Sequence, residues 1–176
     1  MSSLVPPEKM WWKPLGKEEK IWLTVSVVWA VVLFSMMIVW GAAAKQDTPT
    51  ETYRISTTEF QQLTNAFVQK YQVGQEKGVP VVRPPAGGDV YLMGRQYQWF
   101  PILELKKGQT YRVHLSSVDM QHGFSLQPLN MNFQALPGYD YVIKLTPTET
   151  GDFYIICNEF CGLGHHLMTG KIIVKE

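Results

Sequence analysis

From Ile21 to Ala44 the chain reads IWLTVSVVWAVVLFSMMIVWGAAA, twenty-four residues without a charged side chain. As a helix rising about 1.5 Å per residue, this run spans roughly 36 Å, enough to cross a bilayer core with some tilt. Ala42, Ala43 and Ala44 also resemble the small residues of a signal-peptidase site. The apolar region of a signal peptide, however, runs to only about 7–15 residues, so the length favours an anchor. Trp11, Trp12, Trp22 and Trp40 lie near its two ends, where interfacial aromatics are expected.

Lysine gives the orientation. Lys9, Lys13, Lys17 and Lys20 precede the run, and Lys45 and Arg54 are the nearest cations after it. Cations favour the cytoplasmic side, whereas Glu8, Glu18 and Glu19 count little, so the N-terminus is expected inside. Four segments follow: a cytoplasmic piece over 1–20, a transmembrane helix over 21–44, a connector over 45–87 and a β-domain over 88–176. Cysteines at 157 and 161 are then on the outer side of the membrane. A net charge of +1 and the lack of a long basic run give no sign of nucleic-acid binding.

The connector begins with the polar stretch KQDTPTETYRI. Ser56 and Glu59 have capping-box spacing, and Phe60, Leu63, Phe67 and Tyr71 fall on one face of a short amphipathic helix. Gly74 reads as its stop signal, and GVPVVRPPAGGD as a linker. From Asp89 onward the pattern turns to strands: VYLMG, ILEL, TYRVHLS, YVIKLT, DFYIIC and GKIIVKE. Lys107-Gly108, Pro137-Gly138 and Thr150-Gly151 punctuate them. Short strands with turns at this spacing predict a β-sandwich of about 90 residues.

Both cysteines of the chain lie in CNEFCGLGHHLM, Cys157 to Met168, together with His165 and His166. A disulfide between Cys157 and Cys161 would close a tiny loop of little entropic value and leave His165 and Met168 without a role. Zinc accepts two cysteines and two histidines but has no use for a thioether. Copper takes thiolate, imidazole and methionine together. A mononuclear blue-copper site needs one cysteine, so two thiolates suit a pair of coppers bridged by sulfur. The second imidazole comes from His114 or His122. His114 sits in the alternating run TYRVHLS, where a place on a sheet face is expected. His122, in the loop-like SVDMQHGF with Gly123 allowing close approach, is favoured.

CNEFCGLGHHLM fits the pattern C-x-E-x-C-x3-H-x2-M and resembles cytochrome c oxidase subunit II, which carries the dinuclear copper A centre. Asp119-x-x-His122 looks like the upstream half of that motif, and GRQYQW, Gly94 to Trp99, resembles the family's aromatic G-x-Q-W-x-W strand. The single N-terminal helix is similar to the one-helix members. The resemblance covers roughly residues 20–45 and 88–176. It implies a mainly β fold, a cupredoxin-like Greek-key β-sandwich with one N-terminal transmembrane helix.

It also implies site roles. Cys157 and Cys161 would bridge two coppers, with His122 and Met168 on one and His165 and the carbonyl of Glu159 on the other. The Glu159 side chain would face the catalytic subunit, where family members use it at a magnesium or manganese site. His166 is not the motif histidine. Tyr97 stands where the family places the tryptophan that receives electrons, and Trp99 keeps the second aromatic position; both also read as core aromatics of a strand.

The function implied is electron transfer from cytochrome c, through the copper centre, to haem-copper oxidase subunit I, which reduces oxygen to water. The implied location is a bacterial or archaeal plasma membrane, with the copper domain on the periplasmic or outer side. The alternatives are a copper A subunit of a nitric oxide reductase and a membrane-anchored copper carrier. The copper loops offer Met120, Phe124, Leu163, Gly164 and Leu167, so a mainly apolar docking face is expected, with Asp119 adding a modest electrostatic contribution.

Overall fold

The computed structural model describes residues 14–43, 49–129 and 131–176. It contains two compact units, Met1–Gln46 and Asp47–Glu176. Lys9, Trp11, Trp12, Lys13, Ala44 and Lys45 lie outside the described residues. Helix α1 (Lys17–Ala43) has 27 residues, or about 40 Å at the helical rise, and buries none of its side chains. It is long and apolar enough to cross a membrane. It starts four residues ahead of the uncharged run because Gly16 N–H donates to the Glu19 carboxylate at 2.8 Å, satisfying a free amide of the first turn.

The second unit opens with β1 (Glu51–Arg54) and α2 (Thr57–Tyr71). Ser56 caps α2 as its spacing predicts, its hydroxyl accepting the Glu59 N–H at 3.1 Å. The buried stripe is Phe60, Thr64, Phe67 and Val68, whereas Leu63 is 40% exposed. Expecting Leu63 inside places the stripe too far to one side: Phe60 and Phe67 both pack on Tyr91, and Leu63 falls on the flank. The helix ends at Gln72, whose backbone turns extended, and Gly74 is not its stop. That glycine lies in β2 (Gln72–Glu76), where the pairing with β3 (Val79–Val82) shifts register. The Pro- and Gly-rich stretch that reads as a linker therefore contains a strand, because Val81 and Val82 pair in parallel with Ile102 and Leu103.

Nine strands complete the unit: β4 (Asp89–Arg95), β5 (Gln98–Phe100), β6 (Ile102–Lys106), β7 (Tyr111–Ser117), β8 (His122–Gln127), β9 (Met131–Ala135), β10 (Tyr139–Leu145), β11 (Gly151–Cys157) and β12 (Thr169–Lys175). The hydrogen-bonded path runs β1-β10-β7-β4-β5-β12-β11-β8-β9, with β6 and β3 branching from β12. It turns a corner at β5, which meets β12 only at Gln98 and Thr169. The two arms bring their inner faces together in one core. Leu92, Val113, Leu115 and Ile143 come from the first arm, and Phe124, Leu126, Ile155 and Ile172 from the second. Each such side chain contributes about 1.5–3 kcal/mol on full burial. Mainly β architecture in two packed layers agrees with the sequence expectation.

On the outer face of β7, His114 takes the sheet-face place that its alternating run predicts. Its Nδ1 lies 2.7 Å from Asp140 Oδ2 on β10, its Nε2 lies 3.4 Å from Asp89 on β4, and its ring stacks on Tyr91. Burial pulls the His114 pKa down, but the hydrogen bond and charge of Asp140, seconded by Asp89, outweigh it and hold the value above the ordinary one. A raised folded value means that the imidazolium stabilises the fold fully below the unfolded pKa of about 6.5, and that this contribution is lost as pH rises through the folded pKa. Thermal unfolding of the full chain in detergent should therefore show a midpoint that falls by a few degrees between mildly acidic and mildly alkaline pH. In Asp140→Asn most of that fall should disappear; an equal fall in both chains would count against the His114 pair as its source.

Candidate metal centre

Three connections converge at one end of the sandwich. They are the β4–β5 turn with Gln96 and Tyr97, the β7–β8 loop ending at His122, and the β11–β12 loop from Asn158 to Met168. The third is closed at its base, where Cys157 N–H donates to the Met168 carbonyl at 3.2 Å. Cysteine 157 is the last residue of β11, and His165 opens a single 3-10 turn that runs to Leu167. Histidine 122 is the first residue of β8 rather than part of the preceding loop, so its backbone is fixed by pairing with Ala135.

The donors meet. Cys157 Sγ and Cys161 Sγ are 3.7 Å apart, and both thiols are free. His122 Nδ1 lies 3.9 Å from Cys157 Sγ, and His165 Nδ1 lies 3.6 Å from Cys161 Sγ. Met168 Sδ stands 3.7 Å from Cys161 Sγ, and the Glu159 carbonyl 3.2 Å from Cys157 Sγ. Five side chains and one carbonyl singled out in the sequence thus share one cluster. His122, Cys157, Cys161 and Met168 are buried, His165 is half-buried, and His166 is exposed. The close seat of β8 on this loop requires Gly123, because a Cβ there would lie 2.7 Å from the Glu159 amide nitrogen.

Each imidazole presents Nδ1 to sulfur. For His122 this follows from Asp119, whose Oδ1 takes Nε2 at 2.8 Å. Asp119 also accepts the backbone N–H groups of Gln96 and Met120 at 2.6 and 2.7 Å. Burial pushes its carboxyl up, but those amides and His122 together outweigh burial and hold its pKa below the ordinary value. It stays ionised and keeps the His122 tautomer that leaves Nδ1 free. Sequence reasoning gave Asp119 only a role at the docking face; its spacing to His122 in the motif was the available signal for this one. Burial, and then the neighbouring thiol, push Cys161 up to about 11. A metal entering the cluster must therefore displace protons, and the soft sulfur and imidazole donors fit copper.

Aromatic packing frames the cluster. Trp99 is buried edge-on to His122, with centroids 6.0 Å apart, and edge-on to Phe124 at 5.6 Å. Tyr97 is 38% exposed and lies against the β11–β12 loop, where a Cβ at Gly164 would clash with its ring, 2.6 Å from Cε2 and 2.7 Å from Cγ. Around the cluster Phe160, Leu163 and Leu167 are 79%, 92% and 68% exposed.

Residues 91–176 match the family model described as cytochrome C oxidase subunit II, periplasmic domain. That part of the chain is thus similar to the cytochrome c oxidase subunit II family. A cytochrome c oxidase subunit 2 of Thermus thermophilus is 41% identical over 80 residues, covering 46% of this chain and 58% of that protein. The chain spans about half the length of the curated relatives it matches. A chain from the cryo-EM structure of a heme-copper terminal oxidase dimer superposes with a TM-score of 0.58 at 24% identity, over 90% of this chain and 100% of that one. A rusticyanin variant gives a TM-score of 0.50 at 18% identity, over 74% of this chain and 100% of that one. The fold of the second unit is thus cupredoxin-like, and the family-model match covers every donor of the cluster.

Removing the carboxylate that orients His122 tests this arrangement. Asp119→Asn should weaken copper binding by about 10–100-fold, the usual cost of losing an outer partner, as measured by chelator competition. In the unsubstituted chain the apparent affinity should rise with pH through the neutral range, because the thiol protons are then removed more readily. An affinity independent of both changes would argue against thiolate and His122 ligation.

Proposed function

We propose that this chain is the electron-entry subunit of a haem-copper terminal oxidase. It accepts electrons from a cytochrome c at a dinuclear copper A centre and passes them to the haems of subunit I for reduction of oxygen to water. One observation carries the reading: two thiols, two imidazole Nδ1 atoms, a thioether and a carbonyl share one cluster in a region that matches this family's model. Two coppers held there would supply one-electron transfer without binding substrate. Cys157 and Cys161 would serve both metals, His122 and Met168 one of them, and His165 with the Glu159 carbonyl the other.

The chain's own residues serve such a relay in three ways. Burial of Cys157, Cys161 and Met168 excludes water from the donors, and the sheet and Asp119 hold them in place. That burial disfavours a copper carrier, which must give its metal to a partner. Half-exposed Tyr97, packed on the copper loop, is the proposed entry point, with buried Trp99 behind it against His122. The Glu159 side chain, which accepts from Gln134 at 3.2 Å, is the proposed contact with a magnesium or manganese site shared with subunit I.

Helix α1 is the proposed single membrane span, with Lys17 and Lys20 at its cytoplasmic end and residues 45–87 joining it to the copper domain over 88–176. The domain would then face the periplasm or cell exterior of a bacterial or archaeal plasma membrane. The exposed Phe160, Leu163 and Leu167 form an apolar docking rim, while the nearby acids Asp119 and Glu159 already hold partners within the chain.

Copper number is the direct test. The loaded chain should hold two coppers and give a seven-line electron paramagnetic resonance pattern, from one unpaired electron shared by two equivalent nuclei. Cys157→Ser or Cys161→Ser should abolish that pattern, and His166→Ala should leave it intact. A four-line pattern at one copper per chain would sink the dinuclear reading. The donor face has its own test. Reduction by the native cytochrome should slow by less than about tenfold across a tenfold rise in ionic strength, since apolar burial is little screened. A fall of about a hundredfold would rule the apolar rim out.

A further inference from the structure

One residue of the β4–β5 turn reaches both ligand loops. The side-chain amide of Gln96 donates to the Cys161 carbonyl at 2.7 Å and approaches Met120 Sδ at 3.2 Å. Its backbone N–H donates to Asp119 Oδ2, whose other oxygen takes His122 Nε2. The amide's orientation is fixed by chemistry, because a carbonyl only accepts and the NH2 end must face Cys161. Space is as tight as the bonding: a Cβ at Gly162 would lie 3.0 Å from Gln96 Nε2 and 2.7 Å from the Tyr97 hydroxyl. Backbone bonds hold the ends of the β11–β12 loop, from Cys157 to Met168 and from Asn158 to the Gly123 carbonyl, and its 3-10 turn. The stretch carrying Cys161 is held by Gln96.

We propose that Gln96 is a positioning residue that sets the spacing of the two ligand loops before metal arrives. It grips Cys161 directly and His122 through Asp119. Its functional meaning rests on the reading of Cys161 and His122 as copper ligands, but the grip itself is made by protein atoms alone. Without it the Cys161 segment opens more often, and its thiol becomes reactive. Neighbouring Gln98 is the internal control, since its side chain bonds Arg95 at 2.9 Å in the same turn.

The experiment uses the full-length chain, reduced and metal-free in detergent, and follows the rate at which an aromatic disulfide reagent labels the two thiols. Gln96→Ala deletes the amide. Gln96→Glu keeps its shape but has no donor for the Cys161 carbonyl. Both should label faster by about fivefold or more, the opening expected from one lost hydrogen bond, with thermal midpoints within a few degrees of the unsubstituted chain. Both should also shift the absorption bands of the copper-loaded chain, and Gln98→Ala should change neither readout. Labelling at the unsubstituted rate in both Gln96 variants would overturn the proposal. So would equal acceleration in Gln98→Ala, or global unfolding of both Gln96 variants, which would make the residue a general support of the fold. Absence of copper binding by the unsubstituted chain would overturn the proposed function, and the thiol rates would still decide the role of Gln96.

Discussion

The pairing of β11 with β12 is the constraint on which the site depends. Its register runs from Gly151 opposite Val174 to Ile156 opposite Thr169, and the next bond, Cys157 N–H to the Met168 carbonyl, closes the loop. A slip of one residue would turn Cys157 from the core to the solvent face and carry Ile156 inward. The alternation in DFYIIC guards against this: Ile155 and Cys157 are buried and Tyr154 and Ile156 exposed. Both ends of the loop are therefore fixed by backbone pairing before any metal contributes. The distance from Cys157 to Met168 is a property of the sheet, and Cys161, His165 and the Glu159 carbonyl depend on how the loop itself folds.

The second ligand loop is fixed differently. Strand β8 pairs with β11 through Cys157 opposite Phe124, so His122 lies two residues before the position that faces Cys157. The ring is then held on one side by the Trp99 edge and on the other by the Asp119 carboxylate. A large buried aromatic and a charge-assisted hydrogen bond give the imidazole little freedom. Rigidity of this kind suits a centre that exchanges electrons, where any movement of ligands between redox states adds to the barrier.

Much of this was legible in the sequence, for reasons of range. Cys157, Cys161, His165 and Met168 lie within twelve residues, so their spacing alone announces a site. The strands whose side chains alternate cleanly, such as β7 and β11, were equally plain, and so was the Ser56 cap. What escaped depends on partners distant in the chain. Val81 and Val82 form a strand only because Ile102 and Leu103 lie beside them, and no local pattern in a Pro- and Gly-rich stretch announces that. Leu63 has the helical spacing of a core residue but lies off the line where Phe60 and Phe67 meet Tyr91. Gln96 and Cys161 are 65 residues apart, and their contact exists only once the sandwich has formed.

Burial and exposure at this end of the molecule answer opposite demands. Thiols that must take up metal need access, yet a relay needs donors shielded from water. The structure separates these demands by residue. The sulfur atoms of Cys157, Cys161 and Met168 are covered, while His165, on its one-turn 3-10 helix, is half-buried. The same short loop that covers the sulfurs turns Phe160, Leu163 and Leu167 outward, so the shield over the cluster also displays an exposed apolar surface. A loop of Gly162, Gly164 and alternating apolar residues can do both because its glycines let it lie against Tyr97 while the larger side chains point away. Shielding the donors and displaying an apolar rim are therefore two results of one packing arrangement, in which Tyr97 is the floor.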